Sequence, residues 1–361
     1  MSARLEINLR KIQYNAHILV QRLAVHGISV TGISKATLGS PAIAKVFQNA
    51  GVTMLGDSRI ENLEKMKEAN VSAPMTLIRT PMLSQIDRIV EFADISFNTE
   101  LKIIKALSRA SNLIGRTHGI VLMVELGDLR EGIMPSDVET IVRSVIKLPN
   151  IEFQGIGTNL ACRNGVTPDD KNMAELSALA NSIDKKFGIT MNIVSGGNSS
   201  NLEWVFRGST IEGKESSRQI GRINNLRLGE AILLGRNPLD REPIKDLYTD
   251  AFNLIGEVIE FKVKPSKPWG EMAQAAFGTP PSIKNQGNIH QVLLAIGEQD
   301  TDTGGLTPSA GFEILGASSD HIILNAKENS LAIGDEITFE LNYSALLRSM
   351  TSPFVNKVME E

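Results

Sequence analysis

Short apolar runs recur along the first two thirds of the chain, and each is separated from the next by enough residues for one helix. The intervening segments, such as MLSQIDRIVEFA and TELKIIKALSRAS, carry apolar residues at three- and four-residue steps, which predicts amphipathic helices. The runs themselves are typical of buried strands. The predicted strands are 29–34, 53–58, 75–80, 94–99, 119–126, 151–160, 191–197 and 226–235.

Strands that alternate with helices favour a parallel β/α architecture, and eight is the number of strands that closes a β/α barrel. Such a barrel typically has about 250 residues, and the eight predicted units occupy residues 29–235. A doubly wound open sheet is the alternative. We predict an α/β fold with a (β/α)8 TIM-like barrel over residues 11–238.

The pattern changes after Arg236. Four β-like stretches follow without evident helices between them, and Gly, Pro, Asn and Asp separate them: AFNLIGEVIEFKVKP, HQVLLAIG, FEILGASSDHIILNA and DEITFELNY. This pattern of strands separated by turn residues predicts a C-terminal antiparallel β-domain over residues 239–361. We expect the opening strand, residues 4–9, to pair with that domain.

Composition narrows the class of protein. The chain has 361 residues, of which 42% are hydrophobic, and a net charge of −4, without a basic block, so nucleic-acid binding has little support. No apolar run is long enough to cross a bilayer, and the first residues, MSARLEINLRKIQ, lack a signal-peptide core. A single cysteine, Cys162, excludes an internal disulfide. We expect a cytoplasmic protein of enzyme size.

The first predicted strand raises a chemical question, because its apolar run from Val30 to Ile33 ends in Ser34 and Lys35. Catalytic groups of β/α barrels lie at the C-terminal ends of the strands. A shielded lysine at that place can form a Schiff base with a carbonyl cofactor. Taken alone, a surface lysine whose stem lies along the strand end is the simpler interpretation.

Two other strand ends change that balance. The seventh strand ends in SGGNSSN, where small residues expose backbone N–H groups and can cradle an anion, although a simple helix cap would look the same. Arg227 lies inside the eighth strand, in LRLGEA, and a buried arginine needs a partner. A lysine after strand one, an anion cradle after strand seven and an arginine in strand eight together indicate pyridoxal phosphate.

At this point the chain resembles the fold-type III pyridoxal-phosphate enzymes of the alanine racemase superfamily, and within them the ornithine racemase branch. The resemblance covers nearly the whole chain. ISKATLG is similar to the cofactor-lysine motif, and GDSRIENL, LGASSDH and MTSPFV are similar to signatures of that branch. Together these motifs are specific, whereas any one of them would be weak.

The resemblance implies a role for individual residues. Lys35 would hold the cofactor and move the substrate α-proton on one face. Arg130 matches an arginine near the phenolic oxygen of the cofactor, Arg227 the arginine that faces the pyridine nitrogen, and Asn159 a polar position above the ring. Ser199, Gly229 and Glu230 match phosphate contacts, the last two through their backbone N–H groups, and Asn198 is a further cofactor-binding position. Ser319 and Asp320, with Arg130, match positions that meet the substrate carboxylate, the first two across a dimer interface.

Some positions depart from the pattern of alanine racemases. The tyrosine that follows the lysine motif has no counterpart, since Leu38 and Gly39 stand there, and a second tyrosine near the C-terminus is replaced by Met350. A lysine that is carbamylated in many members falls at Met123. We therefore expect phosphate binding and the surroundings of Arg130 to differ in detail.

The second acid/base is the largest departure. Racemisation needs a proton donor and an acceptor on opposite faces unless one group serves both. Glu298, in AIGEQD, replaces the usual tyrosine and could serve if burial raised its pKa; a surface turn glutamate is the alternative. Cys162, just after the sixth predicted strand, is the rival candidate, and a small buried residue is its simpler interpretation.

The resemblance implies a homodimeric amino-acid racemase with shared active sites that acts on a small-molecule substrate, ornithine first and lysine second. The alternatives are a racemase of broader range, alanine or serine included, and a non-catalytic carrier of pyridoxal phosphate, whose family members lack a C-terminal β-domain. No His/Cys grouping has the spacing of zinc ligands, so we expect no metal. We expect neither a nucleic-acid nor a membrane partner.

Overall fold

The computed structural model describes residues 3–207, 210–211, 214–215, 220–278 and 285–361. The chain divides into two compact units, which we call the barrel unit, Lys11–Thr249, and the sheet unit, Met1–Arg10 with Asp250–Glu361. Within the described ranges, no helix is both long enough and apolar enough to cross a membrane.

The helices of the described residues are α1 Leu9–Ala24, α2 Pro41–Asn49, α3 Ile60–Glu68, α4 Ile86–Phe92, α5 Leu101–Leu113, α6 Pro135–Val145, α7 Asp170–Phe187, α8 Asn201–Phe206, α9 Glu230–Leu234 and α10 Tyr343–Thr351. The strands are β1 Arg4–Asn8, β2 Ser29–Ile33, β3 Met54–Asp57, β4 Met75–Leu77, β5 Ile95–Asn98, β6 His118–Met123, β7 Ile151–Gly157, β8 Ile193–Ser195, β9 Thr210–Ile211, β10 Lys214–Glu215, β11 Asn225–Leu228, β12 Phe252–Pro265, β13 Asn288–Leu294, β14 Leu306–Pro308, β15 Glu313–Ala317, β16 Ile322–Asn325, β17 Glu336–Leu341 and β18 Asn356–Glu360.

Eight parallel strands of the described chain close into a barrel in the order β2, β3, β4, β5, β6, β7, β8, β11. The ring closes where β11 pairs with β2, which sets Arg227 opposite Thr31, and with β8, which sets Asn225 opposite Ser195. The strands read as apolar runs because helices cover them outside and side chains fill them inside; β6 is buried throughout. The predicted TIM-like barrel is confirmed, and the doubly wound alternative is wrong.

One glycine shows how closely two barrel strands approach. Gly155 in β7 has φ +149°, and a Cβ placed there would lie 1.8 Å from the carbonyl oxygen of Ile193 in β8. Every other residue type would therefore push the strands apart, so glycine is required at this irregularity in the ladder.

The N-terminus of α3 is not capped as its sequence predicts. The spacing of Ser58 and Glu61 predicts a capping box. The residue at the N-cap position is Arg59, whose side chain makes no capping hydrogen bond. The carboxylate of Asp57 instead accepts the Arg59 N–H at 2.9 Å. Glu61 pairs with Arg88 at 3.0 Å. The predicted cap is wrong because a buried carboxylate one residue before Ser58 takes the capping role.

The sheet unit is built around the long strand β12. Its first half pairs antiparallel with β1 and β17, its second half pairs with β13, and β1 also pairs in parallel with β18. Buried side chains from these strands, among them Leu254, Val292 and Phe339, form its core. The expectation of strands without helices is incomplete, because α10 lies between β17 and β18 and is capped by Asn342, whose Oδ1 accepts the Ala345 N–H at 2.9 Å.

Candidate active site

Lys35 lies where β2 leaves the barrel wall. The strand ends at Ile33, Ser34 donates its N–H to the Gly56 carbonyl of β3 at 3.0 Å, and Lys35 begins a single 3₁₀ turn that ends at Thr37. The Thr37 hydroxyl closes the turn by donating to the Ser34 carbonyl at 2.9 Å. Except for half-buried Lys35, these residues are buried. The turn therefore fixes the backbone of Lys35 at the C-terminal end of the barrel.

A buried carboxylate anchors this turn. Asp57, at the end of β3, is 0% exposed and accepts hydrogen bonds from the Ser34 hydroxyl at 2.7 Å, the Arg59 N–H at 2.9 Å and the Asn62 amide at 3.0 Å. Burial raises the pKa of Asp57, and these hydrogen bonds oppose that rise. Sequence reasoning missed Asp57, although an acid that ends a buried run, in TMLGDS, was a usable signal.

Arg227 is buried in β11, as predicted, and its partners are neutral. Its Nη1 donates to the Ser195 hydroxyl at 2.5 Å, and its Nη2 donates to the Thr158 carbonyl at 2.7 Å and to Asn159 Oδ1 at 3.2 Å. These three acceptors come from the ends of β7 and β8 and hold the guanidinium at the mouth of the barrel. None of these three acceptors is a carboxylate, so none of them neutralises the charge of Arg227.

The surroundings of Arg227 act on its positive charge in opposite directions, and burial has the largest effect. Its guanidinium carbon lies 5.0 Å from the centre of the Phe97 ring, whose face attracts a cation. Burial, and next the positive charge of Arg130, lower the pKa of Arg227 to about 10, while Glu131 opposes the shift. Arg227 still carries its charge at neutral pH, but the site holds it at a cost.

Arg130 lies in the loop after β6 and has two partners. Its Nε and Nη2 both contact the Glu131 carboxylate, and its Nη1 lies 2.9 Å from Cys162 Sγ. Burial by itself would lower the pKa of Arg130, but Glu131 and Cys162 outweigh burial and raise it. Met123, which stands where a lysine was expected from the family pattern, is buried in an apolar cluster with Phe97.

Asp128 joins the loops that follow β6 and β7. Its carboxylate is fully buried and accepts four backbone N–H groups, those of Cys162 at 3.3 Å, Arg163 at 2.8 Å, Asn164 at 3.2 Å and Val166 at 3.3 Å. Burial alone would raise the pKa of Asp128, but the four amides outweigh burial and lower it. Sequence reasoning missed this residue, whose partners lie more than thirty positions away. These bonds hold Cys162 against Arg130. Cys162 is exposed, so its simpler interpretation as a small buried residue is wrong.

The region predicted to cradle an anion joins the ends of β8 and β11. Ser199 Oγ accepts the N–H of Ala231 at 3.2 Å and, more weakly, that of Gly229 at 3.4 Å. A Cβ at Gly229 would lie 3.2 Å from Ile33 Cβ, so glycine leaves the backbone there open to close approach. Two backbone N–H groups from the segment after β11 thus converge on one hydroxyl from the segment after β8.

Glu230, the first residue of α9, has a half-buried carboxylate paired with Arg241. Burial raises the pKa of Glu230, and the charges of Arg241 and Lys35 oppose the rise. Glu230 therefore lies within electrostatic reach of the lysine predicted to bind the cofactor.

Two polar atoms in this region lack a hydrogen-bond partner within the part of the chain that the structure describes. They are Asn159 Nδ2 and Ser200 Oγ, and both are buried. Asn198 lies between these residues: its amide donates to Asn159 Oδ1 at 3.2 Å and to the Leu160 carbonyl at 2.8 Å, while its Oδ1 accepts the Ser200 N–H. Buried donors are normally satisfied, so these two atoms fit a bound polar group. With Lys35 and Arg227 alongside, the residues suit a phosphate-bearing carbonyl compound such as pyridoxal phosphate.

Glu298 belongs to the sheet unit. Its carboxylate accepts a hydrogen bond from the Thr303 hydroxyl and lies 3.6 Å from Arg348 Nη1. The side chain is about one quarter exposed, with 25% relative accessibility, so it is neither a free surface glutamate nor fully buried.

The sheet unit brings Glu298 beside the predicted substrate segment. The N–H of Glu298 donates to the Ser318 carbonyl at 3.0 Å, and the N–H of Gln299 donates to the Ser319 carbonyl at 2.9 Å. The hydroxyls of Ser318 and Ser319 donate to Asp320 Oδ1 at 3.1 and 3.2 Å, and the Ser318 bond is the larger cause of the lowered pKa of Asp320. The sequence did not indicate this pairing of segments that lie twenty residues apart.

The predicted site residues thus form two groups, and each is described within its own unit. At the C-terminal ends of the barrel strands lie Lys35, Arg130, Asn159, Cys162, Asn198, Ser199, Arg227, Gly229 and Glu230. In the sheet unit lie Glu298, Ser319 and Asp320.

Comparison with known proteins adds to this geometry. Residues 7–214 match the family model described as alanine racemase, N-terminal domain. The chain is 38% identical to the ornithine racemase of Acetoanaerobium sticklandii, with 99% of both chains covered. It is 37% identical to the lysine racemase of Thermotoga maritima, with 99% of this chain and 98% of the relative covered.

A solved structure shares the fold. The alanine racemase of Clostridium difficile 630 superposes with a TM-score of 0.76, covering 100% of this chain and 96% of that chain, at 18% identity. At such low identity the likeness concerns the fold alone.

Proposed function

The chain belongs to the alanine racemase family, and from this we propose that it is a pyridoxal-phosphate-dependent racemase that interconverts the L and D forms of a basic amino acid. Ornithine is the first proposed substrate and lysine the second, because the full-length relatives at 38% and 37% identity are an ornithine and a lysine racemase. The single observation that carries the proposal is the placement of Lys35 and Arg227 at the same barrel mouth as the unpaired Asn159 and Ser200 atoms.

Pyridoxal phosphate supplies a carbonyl that condenses with amines and a ring that makes the α-proton of a bound amino acid acidic. The residues of this chain do the rest. Lys35 would hold the cofactor through its Nζ and later carry a proton on one face of the substrate, and the Asp57–Ser34 bond keeps its turn in place. Arg227 would face the ring nitrogen and, as a guanidinium, would keep its own proton.

The phosphate group would lie against the backbone N–H groups and hydroxyls that converge after β8 and β11. The proposed contacts are Asn198, Ser199, Gly229 and Glu230, the last two through their backbone N–H groups. Arg130 would approach the phenolic oxygen and the substrate carboxylate. The segment of Ser319 and Asp320 in the sheet unit would meet the substrate carboxylate across a dimer interface.

Two residues are proposed for the second proton transfer. Glu298 takes the place of the family tyrosine, and Thr303 and Arg348 hold its carboxylate. Cys162 is supported by its contact with Arg130, a residue of the proposed cofactor site. A thiol or a carboxyl can each exchange a proton with a carbon acid when suitably placed.

We also propose a homodimer with shared sites and a cytoplasmic location. The support for the dimer is the family resemblance of the Ser319 and Asp320 segment. A fully active monomer would contradict the proposed homodimer.

The deciding experiment follows the α-proton. Purified protein saturated with pyridoxal phosphate is incubated in deuterated water with L-ornithine, L-lysine or L-alanine, and proton NMR records loss of the α-proton while chiral chromatography records the D-isomer. We expect exchange and D-isomer with ornithine or lysine, and neither with Lys35→Ala. Faster turnover of alanine would replace the proposed substrate class. A bound cofactor band without exchange of any amino acid would favour the non-catalytic carrier.

A further inference from the structure

The loop after β6 contains a carboxylate whose contacts differ from those of its neighbours. Glu125 Oε1 accepts the N–H groups of Gly127 at 2.6 Å and Leu129 at 3.0 Å, and Asp128 accepts four N–H groups of the loop after β7. The carboxylates of Glu125 and Asp128 therefore stabilise the backbone conformation of these loops. Glu131 instead directs both carboxylate oxygens at the guanidinium of Arg130.

This pairing is bidentate. The Oε2 atom of Glu131 contacts Arg130 Nε and the Oε1 atom contacts Nη2, so one edge of the guanidinium is fully occupied. Such a fork fixes the plane of the guanidinium as well as its charge. The remaining nitrogen, Nη1, is the one that lies 2.9 Å from Cys162 Sγ. The orientation of Arg130 at the barrel mouth therefore depends on Glu131.

A second observation concerns the two arginines at this mouth. Arg130 acts on Arg227 as a like charge and disfavours its protonated form, whereas Glu131 acts in the opposite direction. Arg227 is held by neutral acceptors and has no directly bonded carboxylate among them. Glu131 therefore compensates two cations at once, one by direct contact and the other through space.

We propose that Glu131 is a positioning residue that sets the orientation of Arg130 and the positive potential of the cofactor site. This inference rests on the proposed function, since it concerns the groups that would surround pyridoxal phosphate. The charged or titratable groups that share this region are Arg130, Arg227, Lys35, Cys162, Asp128, Glu230, Glu125, Arg163 and Arg241.

The test uses the cofactor as a spectroscopic probe. Glu131→Gln keeps the size of the side chain and removes its charge, so the site becomes more positive. The protonated form of the Lys35 nitrogen that is bound to the cofactor then becomes less stable. We expect the pH midpoint at which the visible absorption band of bound pyridoxal phosphate changes to fall by about half to one unit. We also expect kcat to fall by about tenfold or more, because Arg130 is no longer held in one plane.

Glu125→Gln is the matched control, because it removes the same charge from the same loop without touching Arg130. We expect its midpoint to stay close to that of the native protein. Glu131→Asp retains the charge, so we expect a midpoint close to that of the native protein. Its kcat should lie between those of Glu131→Gln and the native protein. Equal shifts for Glu125→Gln and Glu131→Gln would overturn the proposal in favour of a general charge effect.

A double-mutant cycle with Arg130→Gln tests whether Glu131 acts through Arg130. If Glu131 acts through Arg130, the effects of Glu131→Gln and Arg130→Gln on the cofactor dissociation constant are not additive. Additive effects, or an unchanged midpoint in Glu131→Gln, overturn the inference while leaving the racemase proposal intact. If the native protein binds pyridoxal phosphate without any visible band, both the proposed function and this inference are wrong.

Discussion

The hydroxyl of Ser34 donates to the carboxylate of Asp57 across 2.7 Å, and Ser34 is the residue immediately before Lys35. The bond joins the ends of two neighbouring barrel strands at the point where the reactive side chain is proposed to begin. Because Asp57 is buried and also holds the first turn of α3, a change at this carboxylate is transmitted both to the Lys35 turn and to the helix.

We expect Asp57→Asn to lower the free energy of unfolding by about 1–3 kcal/mol, since an amide nitrogen would then face N–H and O–H donors. Urea denaturation of the cofactor-free protein measures this loss. Ser34→Ala removes the bond to Asp57 but leaves the helix contacts, so its effect should be smaller. An equal loss in both variants would mean that the helix contacts of Asp57 contribute little.

The same residue predicts a pH dependence. Burial raises the pKa of Asp57 above its ordinary value of 3.8, so between these two pKa values the folded state holds a proton that the unfolded chain releases. The stability that Asp57 contributes is present below pH 3.8 and is lost as the pH rises through the raised value. The difference in unfolding free energy between native protein and Asp57→Asn should therefore shrink with rising pH in this window. A growing difference would contradict the burial argument.

Asp128 predicts the opposite sign. Its four backbone amides outweigh burial and lower its pKa, so its contribution is present above the unfolded value and is lost as the pH falls through the lowered value. We expect Asp128→Asn to cost about 1–3 kcal/mol at neutral pH and to increase hydrogen exchange of the amides of residues 162–166. Unchanged exchange there would mean that the two loops hold together without Asp128.

Arg227→Lys tests whether the guanidinium shape matters at a constant charge. A lysine cannot reach the Ser195, Thr158 and Asn159 acceptors together, so buried acceptors lose donors and stability should fall by about 1–3 kcal/mol. We also expect weaker binding of pyridoxal phosphate, measured by titration of its absorbance. Native affinity in Arg227→Lys would show that charge alone suffices at this position.

The second acid/base is tested by following each enantiomer separately. If Glu298 carries the proton on the face opposite to Lys35, Glu298→Gln abolishes α-deuterium exchange from one enantiomer while the other still exchanges. Cys162→Ser makes the same prediction for the thiol. The variant that leaves exchange from both enantiomers close to native removes its residue from the mechanism, and one-sided loss in the other assigns the role.

Periodicity determined much of the architecture, because strands buried on both sides and amphipathic helices leave repeated signatures in the chain. It predicted a strand at each barrel position, the lysine after the first of them and the buried Arg227, each of which is local in sequence. The predicted eighth strand, residues 226–235, is too long, because helix α9 occupies Glu230–Leu234. Helix α10 escaped this reasoning, because the nine residues of YSALLRSMT follow a strand directly and their cap is a single asparagine.

The contacts that organise the site were decided by the tertiary structure. Asp128 finds its amides more than thirty residues away, Asp57 finds Ser34 in the neighbouring strand, and Arg227 finds neutral acceptors at the ends of two other strands. Hydrogen bonds between residues distant in sequence depend on strand register and on the closing of the barrel, which no local pattern records. The sequence by itself thus determined which residue types the barrel presents, and barrel closure decided which of them meet.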